Sequence, residues 1–261
     1  RNKCAHKGDF GRITIMAGSE NFTGAAYIST EAAVRSGAGL VTLCTKKSIL
    51  DILKSKLVEA MSMSYEDIAF EGVISNSDSI AIGPGMGNNE LTLKCVKNIL
   101  SKNGCPVVLD ADALNVLKGN LELLKNSKRK IIITPHMGEM SRLTGVDVES
   151  LIENRIGIAV NFAKEYKVIV LLKGYNTIIT DGNEVYVNST GNSKMASGGM
   201  GDTLTGIIAS FIGQGYEPFK ATIVSAYIHG YCGDILSKEM FCVNASHVIE
   251  KIPYVVEYLV K

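Results

Sequence analysis

The sequence predicts an α/β fold, in which a mostly parallel sheet lies between two layers of helices. Short apolar runs alternate with longer helical stretches, as in consecutive βαβ units. The runs are continuously apolar, which is typical of parallel strands buried on both faces. A hairpin pattern follows the last run and predicts an antiparallel pair. With 261 residues, 46% of them apolar, one domain spanning residues 1–261 is expected.

The first two thirds of the chain supplies the alternating pattern. The six predicted strands, each short and mostly apolar, are Arg12–Ala17, Leu40–Cys44, Ser79–Gly83, Val107–Asp110, Ile131–Thr134 and Val168–Leu172. The helical stretches around them are Gly24–Ser36, Ser48–Lys54, Glu90–Ser101, Gly138–Leu143 and Leu151–Tyr166. Because βαβ connections place helices on the faces of a sheet, this part of the chain predicts a parallel sheet covered by helices on both faces.

The last third changes character. Asn176–Asp181 and Glu184–Asn188 flank the turn residues Asp181-Gly182-Asn183 and predict a C-terminal β-hairpin. Beyond Gly191 the pattern is helical, over Asp202–Ile212, Pro218–Lys238 and from about Val243 onward.

Composition excludes several functional classes. Basic and acidic residues nearly cancel, 27 against 26, and there is no long basic block, so nucleic-acid binding is not expected. No apolar run is long enough to cross a membrane, and residues 1–12 have no apolar signal core. The six cysteines form no Cys-x-x-Cys pair, so we expect no structural zinc site and a cytoplasmic location. The missing initiator Met suggests a trimmed chain or a fragment of a longer protein.

The most informative segment is the glycine-rich run Gly198-Gly199-Met200-Gly201, which directly precedes Asp202 and an apolar helical stretch. Glycines leave amide N–H groups uncovered, and a helix N-terminus attracts phosphate. Asp202 alone would be interpreted as a helix cap. Beside three glycines, a general base next to an anion hole is a comparable interpretation.

Other strand ends carry polar or glycine residues as well. Gly83–Gly87 holds three glycines, and a backbone pressed against a ligand is favoured over a plain turn. Asp112 follows another strand, with helix capping as a strong competing interpretation. His136 and Lys173 follow the next two strands, where surface roles compete with binding. Since these ends share one edge of a parallel sheet, they predict one broad cleft with a phosphate end and a polar end.

A series of short motifs is specific in its order and spacing. The motifs are Lys7–Arg12, Ala17–Ser19 with Gly24-Ala25, Ser36–Val41, Gly83–Gly87, Asp110–Leu114, Thr134–Met140, Leu172–Gly174 and Gly198–Asp202. Together they resemble the ADP/ATP-dependent NAD(P)H-hydrate dehydratases of the ribokinase-like superfamily. The resemblance covers nearly the whole chain. One departure is Ser197, where the family pattern usually has Thr and the hydroxyl is kept.

The resemblance implies a single-domain ribokinase-like three-layer α/β/α sandwich and a repair reaction. Such enzymes return hydrated NADH or NADPH to NAD(P)H at the expense of ADP or ATP, and the Pro135–Glu139 motif resembles the ADP-using branch. Asp202 would be the catalytic base. Lys173, Gly174, Tyr175, Asn176, Thr177, Gly199, Met200 and Gly201 would bind the nucleotide, and Ala25, Gly87, His136 and Asp202 would contact the hydrate. Mg²⁺ is expected with the phosphates, without a dedicated carboxylate cage.

The resemblance also implies a homo-oligomer, perhaps a tetramer, and allows fusion to an upstream epimerase domain. Two other functions stay open at this point. A kinase of the same superfamily that phosphorylates a hydroxymethyl vitamin precursor would use the same anion hole and base. A non-catalytic nucleotide sensor would need the amides but not Asp202.

Overall fold

Nine strands form one sheet in the computed structural model, which describes residues 3–261. The predicted domain, residues 1–261, therefore includes two residues that lie outside the described part of the chain. The strands are β1 (Arg12–Met16), β2 (Leu40–Thr45), β3 (Met61–Ser64), β4 (Ser79–Ile82), β5 (Val107–Leu109), β6 (Ile131–Ile133), β7 (Ile169–Leu172), β8 (Thr177–Thr180) and β9 (Val185–Asn188). Their order across the sheet is β3-β2-β1-β4-β5-β6-β7-β8-β9.

The sheet is parallel from β3 to β7 and antiparallel at β8 and β9, as predicted. Ile13 of β1 lies opposite both Val41 and Ser79, so β1 is a central strand from which the chain first builds outward to β3. It then returns to add β4 on the other side of β1. This reversal of strand order opens a crevice at the carboxyl ends of β1 and β4.

Helices cover both faces of the sheet and complete the predicted three layers. They are α1 (Thr23–Arg35), α2 (Lys47–Lys54), α3 (Phe70–Ser75), α4 (Glu90–Ser101), α5 (Asp112–Asn115), α6 (Glu122–Asn126), α7 (Met137–Thr144), α8 (Val148–Glu153), α9 (Arg155–Tyr166), α10 (Met200–Gly213), α11 (Pro218–Leu236) and α12 (Ala245–Leu259). One core packs α1, α2 and α10 to α12 on the sheet, and the other packs α3 to α9 on the opposite face. Alternating strand side chains feed both cores, with Ile15 in the first and Met16 in the second.

Several elements differ from the sequence prediction. The predicted helix Leu151–Tyr166 is two helices, because Asn154 has φ −129° and ψ 44° and ends α8 before α9 begins. The edge strand β3 and the helix α3 were not predicted. Met61–Ser64 has no apolar run, and it becomes a strand through its pairing with β2. The one-turn helices α5 and α6 are too short to produce a helical period.

The carboxyl ends of the parallel strands meet at one edge, where the predicted site residues were expected. Lys173 follows β7, and its N–H donates to the carbonyl oxygen of Pro135, which follows β6 (2.8 Å). The Gly18 N–H donates to the carbonyl of Pro84 (2.8 Å), which joins the loops after β1 and β4. Among the described residues, no helix has the length and apolar character needed to cross a membrane.

Candidate active site

The N-terminus of α10 is an open cluster of backbone donors. Gly199 lies immediately before the helix with φ +88°, a left-handed conformation that glycine adopts without strain. Within residues 3–261, no side chain caps this helix, so its first amides stay available to an anion. Because Thr203–Gly213 are all buried, the helix is held firmly against the sheet. Gly199, Met200 and Gly201 therefore lie where the sequence predicted the anion hole.

Asp202 is the third residue of α10, and its environment favours the neutral carboxyl. Burial and the neighbouring Asp110 carboxylate raise its pKa from 3.8 to about 6, with Asp112 and Glu139 acting in the same direction. The Lys173 ammonium opposes this effect. A carboxylate with a pKa close to neutral is suited to accept a proton from a substrate. Asp202, the predicted base, therefore lies in the same helical turn as the open amides of α10.

A buried carboxylate, Asp110, lies underneath this region. Its side chain is 1% exposed. Oδ1 accepts hydrogen bonds from Lys173 Nζ (2.9 Å) and Thr134 Oγ1 (2.8 Å), and Oδ2 accepts one from Thr205 Oγ1 (2.9 Å). Burial alone would raise the pKa of Asp110, but the Lys173 charge and the three hydrogen bonds hold it below its usual value. Asp110 is ionised, and sequence reasoning did not assign it to the site.

Lys173, predicted to bind the nucleotide, is an ion-pair partner of Asp110 at the mouth of the site. Burial works against its charge, but Asp110 and Glu139 outweigh that effect and raise its pKa, so it stays protonated. A Cβ at position 201 would lie 3.3 Å from Lys173 Nζ. The ammonium group is thus directly adjacent to the first turn of α10, where it can neutralise a phosphate together with the amides.

A cavity of about 410 Å³ extends from the start of α10 toward the hairpin. Its lining includes the predicted nucleotide residues Lys173, Gly174, Tyr175, Asn176, Thr177, Met200 and Gly201. Gly199 precedes the helix at the same corner. The volume falls within the usual range for small-molecule sites. The cavity therefore brings together seven of the eight residues expected to hold a nucleotide.

Sequence reasoning missed the opposite wall of this cavity. That wall is formed by the segment after β9, including Asn188, Thr190 and Asn192, and by α11, including His229. Thr190 Oγ1 donates to the Tyr227 carbonyl (3.0 Å), which ties the segment to α11. The polar run directly after the predicted hairpin was the available signal.

His229 is a neutral group in that wall. Its Nε2 is buried and has no hydrogen-bond partner among the described residues. Burial lowers the pKa of His229 to about 4, so the ring carries no charge at neutral pH. His229 therefore adds no positive charge to this wall.

Arg155, the first residue of α9, anchors the loop that forms the near wall. Nη1 donates to the Tyr175 carbonyl (2.9 Å) and Nη2 to the Asn176 carbonyl (3.0 Å). In each peptide plane the N–H points opposite to the C=O. The two amide N–H groups that follow these carbonyls, at Asn176 and Thr177, therefore point away from the guanidinium. This contact was not predicted.

The crevice between β1 and β4 holds Ala25 and Gly87, two of the four residues expected to contact the hydrate. Gly83 has φ +127°, and a Cβ there would collide with the Asp110 carbonyl. A Cβ at Gly85 would lie 2.9 Å from the Ala25 Cβ, so the two loops are in close contact. The Gly87 N–H donates to Asp112 Oδ2 (2.7 Å). Asp112 thus links two loops and does not cap a helix, which was its main competing interpretation.

His136 caps α7. Its Nδ1 accepts from the N–H groups of Gly138 (3.0 Å) and Glu139 (3.3 Å), which leaves the proton of the neutral ring on Nε2. Burial lowers the pKa of His136, although Glu139 opposes the shift. The side chain is still 53% exposed. His136 can therefore cap the helix and offer an Nε2–H donor to a ligand at the same time.

A family model described as NAD(P)H-hydrate dehydratase matches residues 13–254. The chain belongs to this family. It is 38% identical to the bifunctional NAD(P)H-hydrate repair enzyme of Moorella thermoacetica, over 99% of this chain and 52% of that protein. It is 35% identical to the ADP-dependent (S)-NAD(P)H-hydrate dehydratase of Staphylococcus aureus, over 99% of this chain and 93% of that protein.

The coverage differs between relatives of this dehydratase family. The chain spans about half the length of curated relatives named bifunctional, such as those of Moorella thermoacetica and Dictyoglomus turgidum. The match to the family model confirms the family resemblance that the sequence motifs predicted.

Solved structures of ribokinase-like proteins have the same fold as this chain. The ADP/ATP-dependent NAD(P)H-hydrate dehydratase from Bacillus subtilis, co-crystallised with ATP/Mg²⁺, has a TM-score of 0.88 and 31% identity, covering 99% of this chain and 93% of that one. A ribokinase-like superfamily protein from Enterococcus faecalis has a TM-score of 0.89 and 30% identity, covering 99% and 91%. The hydroxyethylthiazole kinase of Pyrococcus horikoshii shares the fold alone, at a TM-score of 0.64 and 16% identity over 96% and 92%. The predicted ribokinase-like α/β fold is confirmed.

The carboxylates described at this site are not arranged as a metal cage. Across residues 3–261, no three His, Cys, Asp or Glu side chains are grouped to hold a metal ion. Asp110 is occupied by Lys173 and two hydroxyls, and Asp112 by the Gly87 amide. The donors present fit a Mg²⁺ ion that would be held mainly by the phosphates of a bound nucleotide.

Proposed function

We propose that the chain is an ADP-dependent (S)-NAD(P)H-hydrate dehydratase. It would convert hydrated NADH or NADPH to NAD(P)H while ADP is split to AMP and phosphate. The observation that carries this proposal is the Asp202 carboxyl, with a pKa of about 6, in the first turn of a helix whose N-terminal amides are open. Residues 1–261 would act as one dehydratase domain.

The reaction needs a better leaving group than hydroxide. Asp202 takes the proton of the hydrate hydroxyl, and the hydroxyl oxygen bonds to the terminal phosphorus of ADP as the bond to AMP breaks. The C–O bond of the phosphorylated hydrate then breaks, with the electron pair leaving on phosphate and the ring nitrogen lone pair assisting. Loss of a ring proton completes the double bond, so the hydroxyl oxygen departs in the phosphate.

Each part of the site has a role in these steps. The amides of Gly199, Met200 and Gly201 stabilise charge on the transferring phosphoryl group. The Lys173 ammonium neutralises the adjacent phosphate, which stays on AMP. Gly174 to Thr177 would hold the rest of the nucleotide. Ala25, Gly87 and His136 would border the hydrate, where the His136 Nε2–H can donate to a polar group. Mg²⁺ would supply further charge neutralisation on the phosphates.

The direct test supplies acid-generated NADH hydrate with ADP or ATP and follows the return of reduced-nicotinamide absorbance. Asp202→Asn should lower kcat about a hundredfold or more, since a general base contributes that much. Asp51→Asn is the matched control, because that carboxylate is 98% exposed on α2. Repair at the wild-type rate by Asp202→Asn contradicts the assigned base.

The same assay separates the alternatives. A stable phosphorylated product would indicate a superfamily kinase, and nucleotide binding without any turnover would indicate a sensor. Lack of response to ADP with full activity on ATP would overturn the ADP assignment.

A cytoplasmic location, a homo-oligomer such as a tetramer, and fusion to an upstream epimerase domain stay predictions. Light scattering of the purified chain tests the oligomer.

A further inference from the structure

Asp110 joins four elements of the fold through one buried carboxylate. It follows β5, and its partners Thr134, Lys173 and Thr205 lie after β6, after β7 and on α10. With 1% exposure it is shielded from any ligand. Its two oxygens bond different parts of the fold. Oδ1 accepts hydrogen bonds from Lys173 and Thr134 at the strand ends, whereas Oδ2 accepts one from Thr205 on α10.

Thr205 connects this carboxylate to the catalytic turn. It lies three residues after Asp202 on α10, and residues spaced in this way lie on the same face of a helix. Thr205 is fully buried, so its hydroxyl has no solvent partner to replace Asp110. The bond to Oδ2 therefore fixes the rotation of α10 about its axis and the distance of its first turn from the end of β5.

We propose that Asp110 and Thr205 are positioning residues that set the geometry between the Lys173 ammonium and the Asp202 carboxylate. The proposal rests on the proposed function, because these two groups act on the phosphoryl group and on the attacking hydroxyl. The Asp110 carboxylate bonds Lys173 through Oδ1 and Thr205 through Oδ2, so a shift of one of these groups is passed to the other through the same side chain. Phosphoryl transfer depends mainly on such positioning.

Two hydroxyls on the same carboxylate provide a matched pair of variants. Thr205→Val and Thr134→Val each remove one buried hydroxyl bond to Asp110, of 2.9 and 2.8 Å. Both should lose thermal stability to a similar extent. Only Thr205→Val removes the bond that joins the Asp110 carboxylate to α10. We expect its kcat to fall about tenfold or more, while Thr134→Val stays within about twofold of wild type.

A conservative variant provides the rescue. Thr205→Ser keeps the hydroxyl and should retain kcat within about threefold of wild type. In Thr205→Val the KM for ADP should change less than kcat, because the lining residues Gly174 to Thr177 are not on α10. Equal kcat losses in Thr205→Val and Thr134→Val, or no rescue by Ser, would overturn the proposal.

A second readout does not depend on turnover. The charged groups facing Asp202 are Asp110, Lys173, Asp112 and Glu139. Carbon-13 NMR of the Asp202 carboxyl should show its pKa moving from about 6 toward 3.8 in Thr205→Val and unchanged in Thr134→Val. An unchanged titration in both variants overturns the proposal. If the wild-type chain repairs no hydrate, the proposed function fails, and this titration still decides whether Asp110 positions α10.

Discussion

Asp202→Asn should make the protein more stable at alkaline pH while it lowers the kcat of the proposed repair reaction about a hundredfold or more. A carboxyl whose pKa rises from 3.8 to about 6 on folding is penalised in the ionised form. The sign follows from linkage: the stability is present below pH 3.8 and is lost as pH rises through about 6. Since one pKa unit corresponds to about 1.4 kcal/mol, the ionised carboxyl costs about 3 kcal/mol at pH 8. Asparagine carries no charge and avoids this cost.

The penalty should depend on pH in a defined way. At pH 5 the folded carboxyl is mostly protonated and the unfolded one mostly ionised, so the advantage of Asp202→Asn falls to about 1.5 kcal/mol. At pH 8 the full difference corresponds to a Tm increase of roughly 6 °C for a chain of this size. Solvent screening at the partly open site makes these upper values.

The assay is urea unfolding followed by circular dichroism at pH 5 and pH 8, on wild type, Asp202→Asn and Asp51→Asn. The exposed Asp51 should show no pH-dependent difference from wild type. The reasoning is refuted if Asp202→Asn is no more stable than wild type at pH 8, or if its advantage is the same at both pH values. Such a result would mean that the carboxylate is well solvated where it lies.

The remaining predictions concern catalysis, binding and packing. The kcat/KM of hydrate repair should rise with pH through about 6, because Asp202 must be ionised to accept a proton; a flat profile between pH 5 and 8 contradicts this. Arg155→Lys should raise the KM for ADP several-fold with a smaller change in kcat, since an ammonium group cannot hold both loop carbonyls; Arg35→Lys, on α1, is the control, and equal effects would refute the loop role. His136→Ala should lose about 1 kcal/mol of unfolding free energy through the lost cap, whereas His136→Asn should keep most of it; denaturant midpoints distinguish them. Gly83→Ala should prevent folding or lower Tm strongly, because a Cβ there meets the Asp110 carbonyl; a Tm near wild type would show that the loop can move.

Local sequence patterns were sufficient wherever a segment's own periodicity decides its structure. The apolar run at Val168–Leu172 predicted β7 because a strand buried on both faces leaves no polar position. The glycines before Asp202 predicted uncovered amides at a helix start, and Gly199 there has φ +88°, which only glycine adopts freely. Met61–Ser64 has neither signal, so β3 was missed: its extended form depends on the neighbouring strand β2.

The sequence by itself determined the fold class, the family motifs and the position of the candidate base along the chain. Only the tertiary structure decided that Asp110 pairs with Lys173 and holds Thr205, residues 63 and 95 positions away. It also decided that Arg155 holds the loop of Tyr175 and Asn176. The physical reason is that a residue's backbone preference acts over a few neighbours, whereas the charge, burial and partners of a side chain depend on elements that folding brings together.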